Sequence, residues 1–125
     1  EMNAGNIFAY IGATAAYNHG EQWRIEMLDY VNANVQYIAD FLKNEIPAIV
    51  PMIPEASFLV WLDCKNLGME TDELHRFFSL QARLGLNKGT IFGTGGEYHL
   101  RLNVATPRSI LEQAMKQLKE AVDKL

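Results

Sequence analysis

Cysteine is nearly absent: Cys64 stands alone, so no disulfide can close within the chain. That usage fits a reducing compartment, and the cytoplasm is the expected location. Positive charge is scarce and scattered, with eleven Lys and Arg against fifteen Asp and Glu for a net charge of -4. A phosphate backbone demands a concentrated basic face, which speaks against nucleic acid as a partner. Long apolar runs are missing too. The stretch from Ile7 to Tyr17 is interrupted by Gly12 and Thr14, is too short to span a bilayer and has no basic start, so neither a membrane span nor a signal peptide is expected.

Two kinds of site chemistry are absent as well. His19, His75 and His99 lie far apart without metal-ligand spacing, and Cys64 has no second cysteine beside it, so no metal centre is expected. Ser57 sits in no Gly-x-Ser-x-Gly turn, which removes the usual setting of a serine nucleophile.

What is present is a globular balance, 49% hydrophobic against 21% charged, well away from the composition of disordered chains. At 125 residues the length suits one core, burying roughly two-thirds of the surface of the unfolded chain.

Residues 5 to 18 mix Ala, Ile, Phe and Tyr as a short buried helix would, and His19-Gly20 supplies a stop. A longer helix follows, with the apolar stripe Trp23, Met27, Val31, Val35, Ile38, Leu42 and Ile46, unbroken until Pro47. Such a helix would be about 40 Å long, against a radius of gyration of roughly 14 Å for a compact domain of this size. One end should therefore project with its stripe uncovered, the expectation being that a second domain is missing. The start at Glu1 agrees with a trimmed fragment.

Beyond Pro47 the period changes. Residues 48 to 52 read as a short strand, and 58 to 62 as a strand buried on both faces, since it shows no polar alternation. Thr71 reads as an N-cap with Asp72 and Glu73 in the first turn, opening a helix that buries Leu74, Phe77 and Phe78 and stops at Gly85. A further strand is expected near 86 to 91. From Tyr98 the alternation is clean: Tyr98, Leu100, Leu102 and Val104 share one face, while His99, Arg101 and Asn103 share the other. Thr106 reads as the cap of the last helix and Pro107 as its first residue, with Leu111, Met115, Leu118 and Val122 as the buried stripe. The fold class is α+β, a small mixed or antiparallel sheet with helices packed on one face. Residues 1–46 form the helical segment with the long interdomain helix, and 47–125 the small α+β domain.

Gly89, Gly93, Gly95 and Gly96 could suggest a phosphate cradle, but such a cradle opens onto a helix N-terminus and this loop leads into a strand, so turn chemistry is the better reading. On pattern alone, the polar face of His99, Arg101 and Asn103 would simply meet water.

The run NKGTIFGTGGEYHLRLNVATPRS, from Asn87 to Ser109, resembles the C-terminal signature of the pyridoxal-phosphate-dependent class I/II aminotransferase-like enzymes of fold type I, most closely the carbon-sulfur lyase branch typified by bacterial cystathionine β-lyases. PEASFLVWLD, from Pro54 to Asp63, and AAYNHGEQW, from Ala15 to Trp23, resemble the same branch in the same order. The resemblance implies the small domain of such an enzyme. It implies that Arg101 grips the substrate α-carboxylate in a two-pronged salt bridge, a task that suits a guanidinium fork better than a lysine. Ser57, Phe58 and Asn103 are implied as secondary substrate contacts.

The family's Schiff-base lysine and its other cofactor contacts belong to the preceding large domain, so no catalytic residue is expected within these 125 residues. Lys43, Lys65, Lys88, Lys116, Lys119 and Lys124 all read as solvated surface residues. The resemblance thus implies pyridoxal 5'-phosphate in the full-length enzyme, none bound to this chain alone, an amino-acid substrate, a homodimeric parent and no activity of the isolated piece. Carbon-sulfur β-lyase and transaminase chemistry both need Arg101, so both remain open. A free-standing α+β module that binds ligands or partner proteins through the polar strand face is the other reading.

Overall fold

The computed structural model describes residues 5–125, which divide into two compact units, one ending at Asn32 and one running from Ala33 to Leu125. In the first, α1 (Ile7–His19) opens on Asn6, whose side chain accepts the Ala9 amide, and closes on Gly20, whose amide reaches the Ala16 carbonyl at 2.8 Å. A Cβ on Gly20 would meet that carbonyl oxygen at 2.5 Å, which is why a glycine ends the helix. The expectation of a buried helix is corrected here: no residue of α1 is buried, and Phe8 and Tyr17 are 81% and 90% exposed.

α2 (Glu21–Glu45) follows the expected span and changes character along its length. Trp23, Ile25, Leu28 and Tyr30 are exposed, whereas Val31, Val35, Ile38, Leu42 and the following Ile46 are buried. No helix among the described residues is long and apolar enough to cross a membrane.

The second unit holds an antiparallel four-stranded sheet of β1 (Val50–Met52), β2 (Leu59–Asp63), β3 (Asn87–Lys88) and β4 (His99–Asn103), in the order β1-β2-β4-β3. Val60, Leu62, Leu100, Leu102 and Val104 supply the sheet's share of the core. The helices add Val35, Ile38 and Leu42 from α2, Leu74 from α3 (Thr71–Arg76), and Leu111, Met115 and Leu118 from α4 (Arg108–Val122). The register of β4 is as the alternation demands, with Leu100 and Leu102 inside and His99 and Arg101 half-buried on the opposite face.

Several local expectations are corrected. β2 is buried on one face only: Val60 and Leu62 are sealed in the core, while Leu59, Trp61 and Asp63, which alternate with them, are half-exposed. Glu70, not Thr71, caps α3, since Glu70 is still extended and its carbonyl accepts the Leu74 amide at 2.8 Å. α3 runs into a π-helical turn at Phe77–Gln81 and stops there rather than at Gly85. The amides of Ala82 and Leu84 turn back to the carbonyls of Phe77 and Phe78, and Arg83 takes the left-handed conformation that Gly85 could have supplied. The third strand shrinks to two residues, Asn87–Lys88, because the chain coils into a 3-10 turn at Gly89–Phe92. Pro107 is the cap of α4 rather than its first residue, with extended ψ and a carbonyl that accepts the Ile110 amide, and Thr106 caps nothing. At the far end of α4, Ala121 is buried where Val122 was expected.

Candidate functional site

The site is the half-covered face of the sheet around the middle of β4. β4 lies between β2 and β3, so Arg101 has a strand partner on each side, Trp61 on β2 and Asn87 on β3. Arg101 Nη2 donates to Asn87 Oδ1 at 3.1 Å. Its guanidinium carbon lies 4.4 Å from the centre of the Phe92 ring, close enough for the ring's negative face to attract the charge. Phe92 meets Trp61 edge to face at 5.4 Å, and Trp61 meets His99 in the same manner at 6.2 Å.

Arg101 is half-buried, and among the described residues no carboxylate pairs with it; Glu97, though close in sequence, does not. Its Nε is buried with no hydrogen-bond acceptor. A guanidinium in this state has charge and at least one N–H to offer. His99 sits 2.8 Å from the Glu97 carbonyl through Nδ1. A carbonyl can only accept, so Nδ1 is the donor and Nε2 is left for other partners.

Beside this face lies a pocket of about 290 Å³, walled by Met52, Trp61, Phe92 and His99 and floored by Gly89 and the Gly93–Gly96 loop. Its floor needs glycine for backbone reasons. A Cβ on Gly89 would meet the Gly96 oxygen at 2.2 Å, while Gly93 and Gly95 hold φ of +125° and +87°.

Of the other anticipated contacts, Asn103 shares the face of β4 that carries Arg101, and Ser57 and Phe58 lie before β2. Ser57, exposed and at φ +75°, and Phe58, 43% exposed, precede β2, whose first residue pairs with Asn103 at the far end of β4. Four residues of extended chain from Trp61 to Ser57 amount to about 13 Å. The Asn103 side chain turns locally and accepts the Ala105 amide at 2.9 Å. Sequence reasoning assigned no role to Asn87, Phe92 or Trp61. Trp61 was legible in principle as the residue alternating with Val60 and Leu62, but Asn87 needed the strand register.

No lysine has a buried setting: Lys43, Lys65, Lys116 and Lys124 are exposed, and the half-buried Lys88 and Lys119 are turned toward Asp72 and Asp123. The residues present fit a carboxylate at Arg101, and none fits as the covalent anchor of a cofactor. Among the described residues no cluster of three or more His, Cys, Asp or Glu could hold a metal ion.

No family model matches the chain. Cystathionine β-lyase PatB of Bacillus subtilis is 33% identical over 117 residues, covering 94% of this chain and 30% of that protein. Protein MalY of Escherichia coli is 29% identical over 121 residues, covering 97% and 31%. Among solved structures, the pyridoxal-phosphate-bound C-S lyase of Staphylococcus hominis superposes with a TM-score of 0.84 at 30% identity, over 96% of this chain and 33% of that one. Cystalysin of Treponema denticola, at 24% identity, shares the fold with a TM-score of 0.91, over 95% and 30%. The chain therefore has the α+β fold of a domain of the aminotransferase type. Its relatives are cystathionine β-lyases, C-S lyases and aminotransferases, and it spans about three-tenths of the length of the curated relatives it matches.

Proposed function

We propose that this chain serves as the substrate-gripping small domain of a larger pyridoxal-phosphate enzyme acting on amino acids, a carbon-sulfur β-lyase or an aminotransferase, with Arg101 binding the α-carboxylate. The observation that carries this is the state of Arg101: half-buried, without an acidic partner among the described residues, and with a buried Nε lacking an acceptor. A carboxylate on the terminal nitrogens would give this unpaired charge a charge-assisted, two-pronged partner. Pyridoxal phosphate, when bound in the whole enzyme, supplies an electron sink for charge developing at the substrate α-carbon.

This chain's contribution is orientation. The fork of Arg101 holds the carboxylate in one plane, Phe92 backs the guanidinium, and Trp61 with Phe92 narrows the access of water to the pair. The exposed apolar residues of α1 and of the start of α2, Phe8, Ile11 and Trp23 among them, are the surface on which the large domain would sit, and the whole enzyme would work as a homodimer. The isolated chain, without a lysine suited to the cofactor, would be inactive.

The test is Arg101→Ala in the full-length enzyme. Removing one partner of a desolvated two-pronged pair costs about 2–5 kcal/mol, or roughly thirtyfold to several thousandfold in kcat/KM. The cofactor's absorbance spectrum should stay unchanged. Retention of kcat/KM within about threefold would reject the role.

A further inference from the structure

Asn87 stands opposite Arg101 in the β3–β4 register and touches the guanidinium through a single contact, Oδ1 accepting from Nη2 at 3.1 Å. The chemistry of that contact is informative. A carboxylate at the same place would hold the arginine more tightly, but it would cancel the charge and compete with any anionic ligand. A side-chain amide accepts the hydrogen bond and remains neutral. Phe92 against the guanidinium, at 4.4 Å, restrains its plane from a second direction. Between them, ring and amide remove rotameric freedom that a ligand would otherwise have to remove on binding. The charge stays unpaired, since no acid among the described residues pairs with Arg101.

We propose that Asn87 is a positioning residue, which presets the Arg101 guanidinium for a carboxylate ligand while leaving its positive charge whole. The inference rests on Arg101 being the carboxylate-binding residue. It adds that a neutral acceptor at position 87 is a condition for that role.

The full-length holoenzyme carrying Asn87→Asp, Asn87→Ala or Arg101→Ala provides the test, read as separate KM and kcat values for an amino-acid substrate and as the inhibition constant of propionate, a carboxylate that does not react. Asn87→Asp preserves shape and places a competing anion on the guanidinium. It should raise KM and the propionate inhibition constant by about thirtyfold, with kcat within about threefold. Asn87→Ala keeps the charge and loses only the orientation, and should raise both constants by roughly threefold to tenfold. A purely structural asparagine predicts the reverse order, because alanine removes the hydrogen bond that aspartate keeps. Equal effects of the two variants, a larger effect of Asn87→Ala, or KM within about twofold of wild type in both would overturn the inference. If Arg101→Ala raises KM while both Asn87 variants do not, the carboxylate role of Arg101 stands and only the Asn87 inference falls. If Arg101→Ala leaves KM unchanged, both fall together.

Discussion

Trp61 and Arg101 face each other across the β2–β4 ladder, and Phe92 touches both, with its ring 5.4 Å from the indole and 4.4 Å from the guanidinium carbon. One aromatic ring thus backs the cation and is itself backed by a second.

This geometry separates arginine from lysine. Arg101→Lys in the full-length enzyme would keep a charge near Phe92, but an ammonium cannot bond Asn87 and fork a carboxylate in one plane. Loss of a single hydrogen bond to a charged group costs about 1.5–3 kcal/mol. Steady-state kinetics should therefore place kcat/KM for Arg101→Lys at least about tenfold below wild type.

Asn34 is fully buried, and all its hydrogen bonds lie within the second unit. Its amide nitrogen donates to the carbonyls of Val104 and Thr106 at 2.9 and 3.0 Å, and its oxygen accepts from Arg108 Nε at 2.9 Å. It fastens α2 to the turn between β4 and α4. Asn34→Leu keeps the volume but strands these groups, at about 1–3 kcal/mol for each buried one. The urea midpoint should fall with the slope of the transition unchanged.

Burial pushes the Cys64 thiol up to about 12, with Asp63 adding to the effect. A thiol reagent at pH 8 should label it only when the protein unfolds, because the thiolate is the reacting form. The unfolded thiol gives up its proton near its ordinary value of 9.0 and the folded one only near about 12. Between these values unfolding releases a proton, so this contribution to stability is complete below about pH 9 and is lost as pH rises. The loss should approach 1.4 kcal/mol per pH unit at most, and Cys64→Ala should abolish it in pH-dependent denaturation curves.

The glycines should divide sharply on substitution. Gly89→Ala and Gly96→Ala each force a Cβ to within 2.2 Å of a backbone oxygen and should distort the pocket floor. Gly12, in mid-helix with nothing within 4 Å of a Cβ, should tolerate alanine and give up to about 1 kcal/mol of added helix stability. Thermal denaturation of the three variants checks the contrast.

How much of this was legible follows from which interactions are periodic. The alternation of Leu100, Leu102 and Val104 and the stripe Leu111, Met115 and Leu118 are repeated signals, and the structure buries all six. Asn34 lies on the same helix face as Val31 and Ile38, but a single polar residue inside an apolar stripe reveals nothing of the carbonyls that await it. The ending of α3 was hidden for a related reason. Its π-helical turn is closed by amides beyond the helix, and no residue type advertises that closure as Gly85 seemed to. Burial of α1 was misjudged because apolar composition measures the tendency to be covered, whereas the cover must come from other residues. At the candidate site, Arg101 was singled out through the motif around it, and its place on the half-buried face of β4 was legible in the alternation. Ser57, Phe58 and Asn103 were grouped with it by resemblance; Asn103 shares its face of β4, whereas Ser57 and Phe58 precede β2.

The interior place of β4 in the sheet order bears on how the site moves. Binding residues are commonly carried on segments that open locally, yet Arg101 is bonded through its backbone neighbours to a strand on either side. Releasing it means breaking two ladders at once. Amide hydrogens of Leu100 and Leu102 should then exchange only through global unfolding, while those of the Gly93–Gly96 loop exchange through small local openings. A charge carried on such a strand would stay in place while the neighbouring loop opens.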